Sequence, residues 1–232
     1  FLDNKTGEMR TPAQTYEDSG WCFIESIISA GIKKGDLRLD LGQRTEEAMG
    51  KDYDALEKVC TAERPPPILP EEAARLLREV KIFTAGSDVD KVIELYRSFF
   101  EGVSQSAVKL SFSGLEWGDA EAVQLAAVLP SFARLETLWL SDNQIGDAGA
   151  AALAEACRQL PKLKTLWLHS NQIGDAGAAA LAEAIAKEGA FPSLTSIGLY
   201  GNPASDEAKE AVEEALRKKH GGKEALEQKR TQ

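Results

Sequence analysis

The sequence predicts an α/β fold, in which a short solenoid of parallel strands and helices follows a mainly helical amino-terminal region. Two observations lead to this prediction. First, residues 135–157 and 163–185 are nearly identical, and the two segments start 28 residues apart. Second, leucines in each copy alternate with other residues as in a strand, and an apolar pair four apart follows, as on one face of a helix. Each copy is therefore expected to form a strand, a turn and a helix.

Two further copies extend the predicted repeat region to residues 107–216. A third copy starts at Leu194, and extra residues around Gly189 lengthen the connection before it. A degenerate copy precedes the two good ones, with Leu110 and Leu125 at matching positions. About four repeats are therefore expected, and the first and the last are degenerate.

The shared pattern, LxxLxLxxNxI followed by GDAGAAALAEA, resembles the leucine-rich repeat family, in the long-repeat subtype that includes ribonuclease inhibitor. The alanine-rich repeats also look like those of algal and other protist proteins. The resemblance implies strands that line a concave side and helices that form the convex side. It further implies that Asn143, Asn171 and Asn202 form a ladder that hydrogen-bonds the turn backbone from inside.

Small and acidic residues in the predicted helices have structural interpretations. The alanines at 150–152 and 178–180 are strong helix formers, and their small side chains allow neighbouring helices to approach closely. Asp147, Asp175 and Asp206 stand at the helix starts, where a carboxylate can cap free backbone amides. We expect this capping role for them rather than a catalytic or metal-binding one.

The residues between the leucines of each strand should face outward, because strand side chains alternate. Aligning the copies gives one outward row of Ser111, Trp139, Trp167 and Gly198 and a second row of Ser113, Ser141, His169 and Tyr200. Tryptophan and tyrosine are enriched among interface hot spots. The candidate partner-binding residues are Trp139, Trp167, His169, Tyr200, Thr137, Thr165 and Ser141.

Three interpretations of the tryptophan pair are open. The two indoles bind a partner, are covered by the chain's own first half, or stay in solvent while stacking on each other. His169 stands beside them without a second metal-ligating residue at a suitable spacing, so we expect a surface imidazole and no metal site.

The sequence shows no motif that indicates catalysis. It has no phosphate-cradling glycine loop, no GxSxG elbow and no HExxH pair, and it contains only two histidines. The predicted function is a non-catalytic protein-interaction or scaffold module, without cofactor or metal, that binds another protein through the concave face. Ran-activating proteins share this repeat subtype, and that resemblance implies a further possibility, in which the chain regulates a GTPase.

Residues 217–232 form a polar tail that would usually fray in a free protein. We hypothesise that a partner holds this tail and that the chain is an accessory subunit of a larger assembly.

Residues 1–106 show no repeat and predict several helices joined by turns. The apolar stretch at 21–28 predicts a buried helix, and leucines at 37, 39 and 41 predict a short strand. A helix is expected from Pro70 to about Val80, and another, capped by Ser87, carries apolar residues as far as Phe100. This last helix is expected to cap the first repeat.

One segment of this region supports an enzymatic alternative. Tyr16, Ser19, Trp21, Cys22 and Glu25, within TYEDSGWCFIE, are similar to the Ser-x-Trp-Cys-x-x-Glu stretch of plant-type TIR domains. The resemblance implies that Glu25 is the catalytic carboxylate of a TIR-like, NAD-cleaving enzyme. The interpretation that we favour places Trp21 in the core and Glu25 on a solvated helix face.

Composition excludes several classes of function. The 232 residues carry a net charge of −10, which repels phosphate backbones, and no basic patch offsets it, so nucleic acid is not an expected partner. No apolar run approaches the ~20 residues that a membrane-spanning helix needs.

Three cysteines without a CxxC pair favour an intracellular, reducing compartment, either the cytoplasm or an organelle such as a plastid. The sequence starts at Phe1, which suggests a processed or incompletely represented product.

Overall fold

The computed structural model describes Ile24 and residues 64–80 and 88–230, with side chains as far as Gly221. The chain divides into two compact units, Phe1–Glu101 and Gly102–Gln232. Three predicted features lie outside the described residues: the helix at 21–28 apart from Ile24, the strand near residue 39, and Glu25. The predicted division into residues 1–106, 107–216 and 217–232 stays a prediction.

The described helices of the amino-terminal region agree with the sequence pattern. Helix α1 spans Pro70–Glu79 and helix α2 spans Asp88–Ser106. Proline suits the first position of α1, because the N–H that it lacks would have no partner there. Ala73 and Leu77, four residues apart, are both buried and give α1 its inner face. Both helices lie where the sequence predicted them.

The first unit also contains a buried tyrosine that holds the chain before α1. The hydroxyl of Tyr96 donates to the carbonyl oxygen of Ile68 at 2.6 Å and accepts from the Ile68 N–H at 3.3 Å. Burial raises the pKa of Tyr96 to about 12, because the phenolate would lose its hydration.

The second unit consists of strand–helix repeats. Its strands are β1 (Lys109–Ser111), β2 (Thr137–Trp139), β3 (Thr165–Trp167) and β4 (Ser196–Gly198). Its helices after α2 are α3 (Asp119–Val128), α4 (Asp147–Cys157), α5 (Asp175–Ala186) and α6 (Asp206–Arg230), and a short 3-10 helix, Leu129–Ser131, follows α3. The strands form one parallel sheet in the order β1-β2-β3-β4, and successive helices from α3 to α6 pack against each other. The predicted α/β solenoid is therefore confirmed.

The register of the sheet follows the sequence repeat. Leu138 lies opposite Leu166, and Leu166 lies opposite Ile197. The longer connection before β4 does not shift this register. Within that connection Phe191 is fully buried, and its N–H donates to the carbonyl oxygen of Arg158 at 3.0 Å. The extra residues are therefore absorbed by a turn that adds an aromatic ring to the core.

The core is built from the same positions in each repeat. Complete burial is shared by Leu138, Leu140, Ile145 and Leu153 in one copy and by Leu166, Leu168, Ile173 and Leu181 in the next. Burying each such side chain stabilises the fold by roughly 1.5–3 kcal/mol. The short strands are therefore held mainly by the apolar layer between sheet and helices.

A buried asparagine closes each turn after a strand, as the family resemblance implied. The Oδ1 atom of Asn171 accepts from the N–H of Ile145 at 3.0 Å, and its Nδ2 donates to the carbonyl oxygen of Leu140 at 2.9 Å. Nδ2 also donates to the carbonyl oxygen of Leu168 at 3.0 Å. Asn143 and Asn202 make equivalent bonds. Each asparagine therefore joins its own turn to the turn of the preceding repeat.

Asp119, Asp147 and Asp175 cap helices, but each one caps the helix of the following repeat. The capping role expected of Asp206 stays a prediction. The Oδ1 atom of Asp147 accepts from the N–H of Gly174 at 2.7 Å and from the N–H of Gly177 at 2.8 Å. Asp119 makes the same pair of bonds to Gly146 and Gly149, each at 2.8 Å. These amides are the free donors at the helix start, so one carboxylate satisfies two of them and ties two repeats together.

The last position of each GDAG motif requires glycine for a steric reason. A β-carbon added at Gly177 would lie 2.7 Å from Oδ1 of Asp147 and 2.8 Å from Cγ2 of Ile173. A larger residue would therefore separate the carboxylate from the amides that it caps.

The last repeat is capped differently. It carries Ser205 and Ala208 at the positions that Gly174 and Gly177 occupy in the repeat before it. The Oδ1 atom of Asp175 accepts from the Ser205 N–H at 2.6 Å, and the Ser205 hydroxyl accepts from the Ala208 N–H at 3.2 Å. The Ser205 backbone N–H and hydroxyl both donate to the charged carboxylate of Asp175 and thereby lower its pKa.

Helix α6 is also joined to the segment before β4. The Nε2 atom of His220 lies 2.8 Å from the carbonyl oxygen of Leu194, and the Lys219 ammonium donates to the carbonyl oxygen of Ala190. The residues predicted to form a polar tail therefore begin inside a helix that contacts the repeats.

Candidate functional site

The exposed face of the sheet carries a recess at the carboxyl ends of its strands. The recess has a volume of about 390 Å³. Its lining residues, which define the aromatic recess, are Ser113, Trp139, Ser141, Asp142, Trp167, His169 and Tyr200. Five of these seven are among the candidate partner-binding residues, and they come from successive repeats.

The two tryptophans are neighbours because of the strand register. Trp139 lies opposite Trp167, and Trp167 lies opposite Gly198, so the row predicted by period-two alternation is the row observed. Both indoles are partly buried. A β-carbon added at Gly198 would lie 2.3 Å from Cε3 of Trp167. The Trp167 ring therefore rests against the glycine backbone of the next strand, which holds it in place.

A histidine–tyrosine pair forms the next part of the lining. The rings of His169 and Tyr200 are stacked, with centroids 4.4 Å apart and planes 10° apart. The centroid of Trp167 lies 6.1 Å from that of His169, with the rings at 67°. Tyr200 is 64% exposed, so its ring is available to a ligand on the side away from the imidazole. The Nδ1 atom of His169 is buried and has no hydrogen-bond partner among the described residues.

Asp142 lines the recess although strand alternation does not predict it there. Period-two alternation would have placed residue 142 on the core side, together with Leu138 and Leu140. The strand ends before it, however, and its backbone is left-handed, with φ of 57°. The chain turns there, and the exposed Asp142 side chain reaches the recess.

The left-handed backbone at this turn recurs in every repeat. Gly114, Asp142, Ser170 and Gly201 occupy the same position and have φ values of 69°, 57°, 53° and 71°. Aspartate tolerates this conformation better than most residues, and glycine adopts it freely. The repeated turn fixes the direction in which the chain leaves each strand beside the recess.

Thr137 and Thr165 start their strands, whereas the tryptophans end them. Both threonines are partly buried and are not among the residues that line the recess. Their role as flanking contacts stays a prediction.

Near the strand starts, Lys164 and Glu136 form an ion pair. Lys164 Nζ lies 2.9 Å from Oε2 of Glu136, and this hydrogen bond lowers the pKa of Glu136. The lining of the aromatic recess, in contrast, contains one carboxylate, that of Asp142, and no lysine or arginine. The recess is therefore an aromatic surface with a negative charge at its edge.

The described cysteine is not a reactive thiol. Burial raises the pKa of the Cys157 thiol to about 12, which keeps it protonated and unreactive. No group of three or more metal-ligating side chains occurs within residues 64–80 and 88–221. Across the described parts of the chain, no helix is both long and apolar enough to cross a membrane.

Comparison with known proteins agrees with the repeat architecture. Residues 133–183 match the family model for leucine-rich repeats in two copies, so this part of the chain consists of leucine-rich repeats. No curated protein matches the sequence. The subtype, the algal likeness and the TIR resemblance stay predictions.

Forty-three chains of solved structures match the fold. Leiomodin-1 actin-binding site 2 has a TM-score of 0.44 and 14% identity, over 58% of this chain and 95% of the other. The tropomodulin C-terminal domain of Caenorhabditis elegans has a TM-score of 0.44 and 18% identity, over 70% of this chain and 98% of the other.

Proposed function

We propose that this protein is a non-catalytic protein-interaction or scaffold module that binds a partner protein through the aromatic recess. The observation that carries the proposal is the placement of Trp139, Trp167 and Tyr200 around one recess on the exposed face of the sheet. A tryptophan or tyrosine buries about 150–250 Å² when it is fully covered, and such residues dominate the energetics of interfaces.

The recess is also rigid, which favours binding. Trp167 is held against Gly198, and His169 is stacked on Tyr200. The buried Asn171 fixes the turn that follows Trp167. Side chains that are already ordered lose little conformational entropy when a partner covers them, so more of the contact energy contributes to affinity.

The finer parts of the proposal concern the partner and its setting. Thr137 and Thr165 would contact the partner at the edge of the interface, and the module would act as an accessory subunit of a larger assembly. The compartment proposed for this assembly is intracellular and reducing, in the cytoplasm or an organelle.

The test uses two alanine variants and a control on the helical side. Trp139→Ala and Trp167→Ala, alone and together, are compared with wild type in affinity capture followed by mass spectrometry. Val123→Ala is the matched control, because Val123 is 50% exposed and lies on α3. We expect a protein captured by wild type and by the control to be lost with the double variant.

Thermal unfolding separates binding from internal packing. If the indoles serve binding, the double variant should lose no more than a few degrees in Tm, because the indoles are only partly buried. A large fall in Tm, or capture that persists in the double variant, would contradict the proposal.

A further inference from the structure

We propose that the aromatic recess holds a cationic side chain, the guanidinium of an arginine or the ammonium of a lysine, from a basic segment of the partner. This inference rests on the proposed function and names the chemistry that would occupy the site. It follows from the aromatic rings, the single carboxylate and the absence of lysine and arginine in the lining.

The rings supply the first part of the argument. The face of an indole or a phenol ring carries negative electrostatic potential, and a cation within about 6 Å of the ring centroid is attracted to it. The recess brings two indoles and one phenol together, and Tyr200 exposes 64% of its surface. A cation that enters there would contact more than one ring at the same time.

The carboxylate of Asp142 would also attract a cation. Asp142 lines the recess, its side chain is exposed, and the lining contains no lysine or arginine to neutralise it. No described ion pair involves Asp142, and the ion pair described near the strand starts joins Lys164 to Glu136. A basic group in the recess would therefore meet an attractive charge that no described lysine or arginine neutralises.

The remaining occupants fit less well. An acidic segment would be repelled by Asp142 and by the net charge of −10. An apolar segment would cover the rings but would leave Asp142 without a partner. A basic side chain matches both parts, because its methylene stem packs on the rings while its charged end reaches the carboxylate. Guanidinium suits this site especially well, because its flat face stacks on aromatic rings.

The experiment uses defined peptides with the full chain. The probe is an acetylated and amidated peptide of three Gly-Ser-Arg units, and the matched control replaces each arginine by citrulline, which has nearly the same shape and no charge. Binding is measured by titration of the indole N–H resonances, which Trp→Phe variants assign to individual residues. Trp117 serves as an internal reference, because it is 3% exposed and stacked on Phe112.

We expect the arginine peptide to shift the resonances of Trp139 and Trp167 but not that of Trp117. The citrulline peptide should bind about tenfold more weakly. Asp142→Asn, which keeps the size of the side chain and its tolerance of the left-handed backbone, should weaken arginine binding about threefold and reduce its salt dependence.

Three results would overturn the inference. The first is equal binding of the citrulline peptide, and the second is no binding of the arginine peptide at millimolar concentration. The third is unchanged arginine binding in the Trp139→Ala and Trp167→Ala double variant, measured by isothermal titration calorimetry because this variant lacks both reporting indoles; it would show that the overall negative charge alone attracts the peptide. None of these results touches the proposed function, which fails if the double variant still captures the partner or shows a large fall in Tm.

Discussion

The middle repeats and the last repeat of the solenoid are joined to their neighbours by different hydrogen bonds. Between α4 and α5, one oxygen of Asp147 accepts from two backbone amides. Between α5 and α6, Asp175 accepts from the Ser205 amide, and Ser205 caps the next turn with its own hydroxyl. Near-identical sequences therefore build a junction in which each helix start depends on the previous repeat, whereas the last helix partly caps itself.

This difference agrees with the position of each repeat. A middle repeat has a neighbour on both sides, and a carboxylate shared between repeats makes their stabilities depend on each other. The start of α6 has a cap from its own repeat, the Ser205 hydroxyl, which makes it less dependent on the repeat before it. Each of the following substitutions tests one part of this comparison.

The largest effect is expected from Gly177→Ala. The added methyl group would lie 2.7 Å from Oδ1 of Asp147 and 3.0 Å from its Cα, so both the cap and the packing of α5 on the preceding helix must shift. We expect a loss of about 2–4 kcal/mol in the free energy of unfolding, from overpacking and a broken cap. Urea denaturation followed by circular dichroism measures it.

The matched control is the reverse change in the last repeat, Ala208→Gly. The Ala208 N–H donates to the Ser205 hydroxyl and not to a carboxylate of the preceding repeat, so this change should cost only the helix propensity of alanine, about 1 kcal/mol or less. Equal losses for Gly177→Ala and Ala208→Gly would show that the two junctions do not differ.

The next effect concerns the left-handed residue after each strand. Gly201→Ala should lower the free energy of unfolding by about 1–2 kcal/mol, because alanine is disfavoured at φ of 71° and its methyl group would lie 3.2 Å from the Ser170 nitrogen. Ser170→Gly, at the same position of a middle repeat, should leave stability unchanged or raise it slightly, since it removes a strained residue. The denaturation midpoints of both variants measure these changes. A stabilising Gly201→Ala would contradict the cost of alanine in the left-handed conformation.

A smaller effect is expected from the capping carboxylates themselves. Asp147→Ala should lower the free energy of unfolding by about 1 kcal/mol, a typical value for a lost helix cap. Asp175→Ala should have a smaller effect, because the Ser205 hydroxyl still caps α6. Hydrogen exchange of the Gly174 and Gly177 amides should rise in the first variant, and unchanged protection there would refute the role of Asp147.

The smallest effect is a dependence of folding stability on pH, through the Asp175 carboxylate. Hydrogen bonds from Ser205 hold the pKa of Asp175 below its ordinary value of 3.8. Because the pKa is lower in the folded chain, this contribution is present above that ordinary value and is lost as the pH falls through the folded pKa. The difference in stability between wild type and Asp175→Asn should therefore shrink when denaturation is repeated at pH values below about 4. A difference that grows in acid would have the wrong sign.

The sequence predicted the repeat region well, because its information is local and repeated. Strand alternation placed Trp139 beside Trp167, and the family pattern placed Asn171 inside a turn. Both follow from the spacing of residues within one repeat, which copies preserve. The described helices of the first unit were predicted by proline at a helix start and by apolar residues at helical spacing.

Two features were not predicted correctly. The aspartate positions predict helix starts, but they do not show that Asp147 and Asp175 bond the helix start of the following repeat, which depends on how closely neighbouring helices approach. Asp142 was missed as a lining residue, because alternation holds only while the strand continues. Residue spacing alone does not tell where a strand ends in a left-handed turn.

The sequence by itself determined the period, the alternation of core and surface residues, and the aromatic identity of the outward row. These properties are fixed by side-chain chemistry and by the geometry of single strands and helices. Only the tertiary structure decided which atoms meet between repeats: the Asp147 carboxylate with the next helix, Trp167 with Gly198, and Asp142 with the edge of the recess. Such contacts depend on distances of a few tenths of an ångström between separate elements, which only packing sets.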